Sequence, residues 1–193
     1  MPYRLRTFIA VEVEQFTHDR VVGLQKRLAA GGVNAKWVEP ANLHITLLFL
    51  GEIDNREVPS VCDAVADVTA GLAPFPVTIA GVGAFPTVRR PRILIANVTE
   101  GAPEIVALHD AIETPLLELG CYRREARPFT PHLTLGRVRG DAASEPLSAT
   151  LTKFAAWEGG QSVVREVRVY SSTLQSDGPE YAVLSRARLA GAK

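Results

Sequence analysis

The sequence predicts an α+β fold built from two similar lobes. Segments with apolar residues at helical spacing alternate with short strand-like segments along the chain. The pattern His-x-Thr-Leu occurs at His44 and again at His132, 88 residues downstream. The same shift places predicted helices on helices and strands on strands. We therefore predict an internal duplication within one bilobal domain, residues 1–193, whose intertwined lobes meet near residues 91–102.

Apolar periodicity and turn residues define the elements of the first repeat. Gly31-Gly32 ends the first predicted helix and Gly71 the second. Runs rich in β-branched and aromatic residues indicate strands. In order, we predict strand 5–13, helix 17–30 with Thr17 as its N-cap, extended segment 35–38, motif strand 43–50, helix 56–70, strand 75–82 and an irregular loop 83–91.

The same signals define the second repeat. Pro103 suits the first turn of a helix, and Gly120 follows its last apolar residue. His18 and His109 both fall in predicted helices, and we interpret His18 as an exposed helix residue and His109 as a partly buried structural one. In order, we predict strand 92–98, which can belong to either repeat, helix 103–119, the second motif strand, which contains His132 and ends around residues 137–140, helix 147–157 and strands 163–170 and 181–189.

Composition indicates a globular protein that folds without disulfide bonds or structural metal sites. The chain has 193 residues, of which 47% are hydrophobic, enough for a substantial core. Cys62 and Cys121 have no metal-site spacing, so we expect reduced, buried thiols. We find neither a signal-peptide pattern nor a run of 18 apolar residues, and we expect a cytoplasmic protein. The 21 basic and 21 acidic residues balance, which favours a small or terminal phosphate target over a long duplex.

The two motifs suit acid/base chemistry on a phosphodiester. Side chains alternate along a strand, so His44 and Thr46 share one face while Ile45 points to the other. Imidazole can give or take a proton near neutral pH, and a threonine hydroxyl can donate to a phosphate oxygen. Such a set needs no metal.

The segments NLHITLLFLG, residues 42–51, and RPFTPHLTLGR, residues 127–137, resemble the 2H phosphoesterase superfamily. They are most similar to its RNA 2',3'-cyclic phosphodiesterase branch, long called 2'-5' RNA ligase. The resemblance covers nearly the whole chain. It implies two pseudo-symmetric lobes, each an antiparallel-rich sheet with helices on its outer side, and an active-site cleft between them.

The resemblance also implies roles for five residues. His44 would be the general acid, His132 the general base, and Thr46 and Thr134 phosphate-oxygen ligands. Arg137 would be a further phosphate ligand, although strict alternation places it on the face opposite His132 unless Gly136 permits a bulge. The substrates would be RNA ends or nucleotides with a cyclic phosphate, and the products would be 2'-phosphomonoesters. We expect an active monomer that needs no cofactor and does not bind a membrane.

Other positions carry weaker signals. The relatives often have an arginine where this chain has Ser171, which weakens the case for a phosphate contact there. The basic cluster at residues 89–92 can meet RNA or form a solvated turn. Several aromatic residues can stack on a base or simply pack in the core: Phe8, Phe49, Phe85 and Tyr122.

Four alternatives differ from this hypothesis. A metal-dependent hydrolase needs more His, Asp or Glu ligands beside the motifs, and an ATP-driven ligase needs a nucleotide-binding motif; the sequence has neither. A 2'-5' RNA ligase or phosphodiesterase acting on tRNA ends or 2'-5' oligonucleotides would use the same two histidines. A protein that only binds nucleotides or RNA ends would also keep every motif.

Overall fold

The computed structural model describes residues 3–140, 145–176 and 178–192. Within these ranges the chain forms one antiparallel sheet of nine strands and four α-helices. The elements are, in order, β1 (Arg4–Val11), α1 (Gln15–Ala30), β2 (Ala35–Trp37), β3 (Ile45–Asp54), α2 (Val58–Ala70), β4 (Phe75–Thr87), β5 (Arg90–Val98), α3 (Ala102–Glu118), β6 (His132–Val138), α4 (Glu145–Lys153), β7 (Glu158–Val164), β8 (Glu166–Leu174) and β9 (Pro179–Arg188).

The two motif strands lie at the centre of the sheet. The strand order is β7-β4-β5-β6-β3-β1-β8-β9, with β2 paired to β6. One half of the sheet thus contains β3, β1, β8 and β9, and the other contains β6, β5, β4 and β7. The predicted α+β fold with two antiparallel lobes is confirmed. The pair Ile45 and Leu133 joins the two lobes into one sheet.

Each half of the sheet carries two helices. Helix α2 packs on β8, β9 and α3, and α3 contacts β3, whereas α1 contacts β7 and α4 contacts β4. Helix α1 of the first repeat therefore packs on a strand of the second. Each fully buried Leu, Ile or Val contributes about 1.5–3 kcal/mol relative to an exposed one. The buried stripes of the first three helices contain Val21, Leu24, Leu28, Val61, Val65, Ile105, Leu108, Ile112 and Leu116.

The repeat is visible in the order of the elements. Moved by 88 residues, α1 falls on α3, β3 on β6, α2 on α4, β4 on β8 and β5 on β9. Strand β5 also lies beside β6 as β1 lies beside β3. It therefore serves both repeats.

Two predicted strand boundaries are wrong. The segment 83–91 is not an irregular loop, because β4 continues to Thr87 and pairs with β5 in a hairpin. Pairing between the two strands outweighs the local Gly and Pro signals. The predicted strand 163–170 is two strands, since β7 ends at Val164 and β8 begins at Glu166.

Two helix boundaries also differ from the prediction. Helix α1 begins at Gln15, and Thr17 is not its N-cap. Instead the buried Thr17 hydroxyl donates to the Gln161 carbonyl at 3.2 Å and accepts from Ser162 Oγ at 3.0 Å. Helix α4 ends at Lys153 rather than near residue 157.

The two cysteines are free thiols and half-buried rather than fully buried. Burial raises the pKa of both Cys62 and Cys121, which favours the neutral thiol. No helix in the described part of the chain combines the length and apolar character needed to span a membrane.

Candidate active site

The structure brings both His-x-Thr motifs together on one face of the sheet. Ile45 and Leu133 pair across β3 and β6, and both are fully buried. Because side chains alternate along a strand, the neighbours of this pair point away from the core. Continuing the register by one residue places each histidine across from the threonine of the other motif. Four polar residues thus line one cavity: His44, Thr46, His132 and Thr134.

The two imidazoles are oriented in the same way. The Nδ1 atom of His44 lies 2.7 Å from the Asn42 carbonyl oxygen, and Nδ1 of His132 lies 2.6 Å from that of Thr130. A carbonyl oxygen only accepts, so each Nδ1 carries the hydrogen. Each ring therefore keeps Nε2 for chemistry, and Nε2 of His44 lies 3.0 Å from Thr46 Oγ1.

Aromatic rings pack around His44. Its ring stacks on buried Phe8 at a centroid distance of 5.0 Å, and Tyr181 meets its edge at 5.6 Å. Tyr170 also stacks on Phe8 at 5.0 Å, and its centroid lies 6.3 Å from that of His44. This burial, only partly offset by the Asn42 hydrogen bond and by nearby Glu12, lowers the pKa of His44 to about 4.

His132 has a less aromatic setting. Phe85 meets its ring edge-on at a centroid distance of 4.9 Å. Burial lowers the pKa of His132, and the hydrogen bond to the Thr130 carbonyl opposes that effect. In the ligand-free cavity, burial therefore favours the neutral form of both imidazoles.

The residues that flank the two histidines differ in charge. Val11 pairs with Ile45, so the next residue, Glu12, lies beside His44. Its carboxylate accepts from the Tyr170 hydroxyl at 2.7 Å and also pairs with Arg168. At the corresponding place beside His132, β5 carries the neutral Asn97. No local sequence pattern reveals this asymmetry, because it depends on pairing between distant strands.

Arg137 reaches the cavity because β6 contains a bulge. Ile95 pairs with Thr134 and Leu94 with Gly136, which leaves Leu135 as the extra residue. The bulge reverses the alternation, so the exposed Arg137 lines the same cavity as the histidines. Gly136 is needed there, since a Cβ would lie 2.9 Å from the Lys36 carbonyl oxygen of β2.

Strand β3 contains the matching bulge. Its pairing with β1 shifts between Thr46 and Leu48, so Phe49 also lines the cavity, and it is 53% exposed. By the 88-residue shift, Phe49 corresponds to Arg137. The lining of the cavity therefore includes an aromatic part, formed by Phe49 and Tyr181, and a cationic part, formed by Arg137 and Lys36.

The cavity has a volume of about 1250 Å³ and extends beyond the motifs. It continues along α3 and the segment 122–129, where the acidic Asp110 and Glu113 and the basic Arg124 and Arg127 also line it. Its size is at the upper end of ordinary ligand sites. It accommodates more than a single small ion.

Other predicted contributors either lie outside the cavity or are buried beside it. The basic residues Arg89, Arg90 and Arg92 are exposed around the β4-β5 turn and do not line the cavity. Phe8 and Tyr122 are buried, 2% and 7% exposed, and cannot stack freely on a base. Within residues 3–140, 145–176 and 178–192 no three His, Cys, Asp or Glu side chains cluster as metal ligands would.

The carbonyls that orient the imidazoles belong to a repeated sequence pattern that extends each motif toward the N-terminus. Asn42 and Thr130 lie two residues before the two histidines, and Pro40 and Pro128 lie four residues before them. The repeated pattern is thus Pro-x-Asn/Thr-x-His. Aligning the repeats over this longer segment would have identified both carbonyls.

A duplicated α+β sheet with one His-x-Thr strand per repeat defines the class of two-histidine phosphoesterases. The sequence model of the LigT-like phosphoesterases matches the chain twice, over residues 11–95 and 96–181. The chain belongs to this family, and the predicted membership is confirmed.

Several relatives are named RNA 2',3'-cyclic phosphodiesterase. The one from Archaeoglobus fulgidus is 35% identical over 92% of this chain and 96% of its own length. That from Aquifex aeolicus is 33% identical over 82% and 84%. That from Methanothermobacter thermautotrophicus is 31% identical over 96% and 100%.

Solved structures share the fold. The protein TT0787 of Thermus thermophilus superposes with a TM-score of 0.84 at 27% identity, covering 98% of this chain and 100% of that one. Escherichia coli LigT in complex with 3'-AMP gives a TM-score of 0.79 at 21% identity over 97% and 99%. The second comparison supports the fold alone.

Proposed function

We propose that the protein hydrolyses 2',3'-cyclic phosphodiester ends of RNA to 2'-phosphomonoesters, without a metal, using His44 as general acid and His132 as general base. The enzyme class follows from the family and from the relatives' shared name. The mechanism rests chiefly on one observation, the meeting of both motifs in one cavity.

The proposed step needs only water and the two rings. His132 Nε2 takes a proton from water as the water oxygen bonds to phosphorus. The bond between phosphorus and the 3'-oxygen breaks, and His44, doubly protonated once the phosphate anion is bound, gives that oxygen the proton on Nε2 and becomes neutral. The hydrogen bonds at Nδ1 support this assignment because they direct the Nε2 atom of each ring to the reaction.

The flanking residues support the choice of acid and base. Glu12 stabilises the protonated form of His44, whereas the neutral Asn97 beside His132 adds no such charge. An acid must hold its proton until the leaving group needs it, and a base must be free of one. The Glu12 charge thus acts in the direction that an acid at His44 needs, while burial outweighs it in the free protein and holds the pKa of His44 at about 4.

Threonine and arginine side chains would stabilise the phosphate. The hydroxyls of Thr46 and Thr134 lie beside the imidazoles, and Arg137, farther along β6, adds a positive charge to the cavity lining. Donors aimed at oxygens that gain charge are a large contribution to catalysis. One chain supplies every group, so we expect a monomer to be active on cytoplasmic RNA ends.

The pH profiles should reveal how substrate changes the two imidazoles. The acid fails as pH rises above its pKa and the base fails as pH falls below its pKa, so the rate should be bell-shaped. Burial lowers both pKa values in the free protein, but a bound phosphate anion should raise them, by about 1–3 units for a close charge. The bell for kcat should thus lie at higher pH than the bell for kcat/KM.

A matched variant checks this explanation. Glu12→Gln should lower the pKa of His44 further, and because the pKa of His44 is already about 4 in the free protein, the acid limb of the kcat/KM bell should move to lower pH. Superimposed profiles of kcat and kcat/KM in the unaltered protein would contradict the proposed effect of the anion.

The decisive experiment is hydrolysis of an RNA oligonucleotide with a 2',3'-cyclic end in excess EDTA. We expect turnover and a 2'-phosphate product, identified by phosphorus NMR. Activity that disappears in EDTA and returns with a divalent ion would contradict metal independence. Tight binding without turnover would favour a binding protein, and a joined product with 5'-hydroxyl RNA would favour a ligase.

A further inference from the structure

The two remaining histidines of the chain lie on equivalent helices. His18 in α1 and His109 in α3 are each followed by an aspartate, Asp19 and Asp110, although the 88-residue repeat places His18 on Val106, one helical turn before His109. Nδ1 of His18 lies 3.4 Å from Asp19 Oδ1, and Nδ1 of His109 lies 2.8 Å from Asp110 Oδ1. Neither pair belongs to a motif strand.

Each of these histidines contacts the segment that precedes one motif. His18 Nε2 donates to the Pro40 carbonyl at 2.9 Å. The His109 ring stacks on Phe129 with centroids 4.3 Å apart and planes 7° apart. Pro40 begins the short 3-10 turn Pro40–Asn42, and Phe129 lies in the Pro-x-Thr-x-His segment before β6.

Those two segments carry the carbonyls that orient the cleft histidines. Asn42 follows Pro40 by two residues and accepts from His44, while Thr130 follows Phe129 directly and accepts from His132. The second segment has no regular secondary structure, so a packed ring is an important restraint on it.

We propose that His18 and His109 are positioning residues: His18 holds the segment whose Asn42 carbonyl orients His44, and His109 holds the segment whose Thr130 carbonyl orients His132. The expected kinetic effect rests on the proposed function. A small displacement of a catalytic group lowers the rate of the chemical step more than it weakens binding. Loss of either support should therefore lower kcat by about 10-fold and change KM little.

The test combines kinetics with NMR on the free protein. The chain has four histidines, so long-range ¹H-¹⁵N spectra should resolve each imidazole and its tautomer. His109→Ala should disturb the Nδ1-H signal of His132 and leave that of His44 unchanged. His18→Ala should do the reverse.

Conservative variants provide the controls. His109→Phe keeps a flat ring against Phe129 and should restore both the His132 signal and kcat. His18→Gln keeps a donor for the Pro40 carbonyl and should restore the His44 signal. Because His109 is buried, its alanine variant can fail to fold; Phe129→Leu then removes the stack from the other side and should disturb His132 alone.

Two results would overturn the proposal. One is an unchanged target imidazole in the folded variants. The other is an equal disturbance of both cleft histidines by each variant, which would mean general destabilisation. The spectra need no turnover. Failure to hydrolyse cyclic ends would therefore contradict the proposed function, while the effect of His18 on His44 and of His109 on His132 could still be tested.

Discussion

Alanine at either cleft histidine should slow opening of a 2',3'-cyclic phosphate by about 10²–10⁴-fold, the usual effect of losing a general acid or base. His44 and His132 sit on different strands and different repeats, with their Nδ1 atoms held by separate carbonyls. Neither ring can therefore replace the other. Single-turnover rates with a cyclic-ended oligonucleotide measure the loss directly.

The double variant distinguishes a shared mechanism from two independent effects. Once one proton transfer is lost, the other adds little, so His44→Ala with His132→Ala should cost much less than the product of the single losses. Thermal unfolding of each variant checks the fold. Tyr3→Ala is a matched control, since it removes a ring that is 58% exposed and outside the cavity lining. An unchanged rate in either single variant would rule out the two-histidine mechanism.

The position of the product phosphate tests which oxygen leaves. If His44 protonates the 3'-oxygen, the phosphate must remain on the 2'-oxygen. Phosphorus NMR, together with the response of the product to phosphatase, identifies the isomer. A 3'-phosphate would reverse the assignment of the leaving group while leaving the need for both histidines intact.

The sequence predicted the centre of the site because its signals are local. Alternation around Ile45 and Leu133 shows which face of each strand is buried, and the repeat makes the second copy equivalent to the first. Most helices follow from periodicity for the same reason. The roles of the four motif residues remain predictions that the variants above test.

Long-range features could not be predicted in this way. The Tyr170 hydroxyl meets Glu12 across 158 residues of sequence, through strands that pair only in the folded sheet. The bulge that turns Arg137 toward the cavity depends on the register between β5 and β6, which no local pattern specifies. The contacts of His18 and His109 could not be predicted either, because their partners lie on segments far from their own helices.

Arg137→Met should lower kcat/KM for a cyclic-ended dinucleotide by about 10- to 100-fold, the loss expected for a hydrogen bond to a charged group. The bulge at Leu135 directs Arg137 into the cavity, where no carboxylate of the described residues lies within ion-pair distance of it. Its guanidinium is thus available to two phosphate oxygens. Initial rates at subsaturating substrate measure the effect.

Arg137→Lys and Arg139→Met separate geometry from charge. Lysine keeps the positive charge but lacks the planar fork, so it should recover only part of the loss. Arg139 is exposed, lies just beyond the end of β6 and does not line the cavity, so its replacement should have little effect. Equal losses at Arg137 and Arg139 would indicate a general effect of positive charge. A direct contact with the phosphate requires an arginine that lines the cavity, and only Arg137 of the two does.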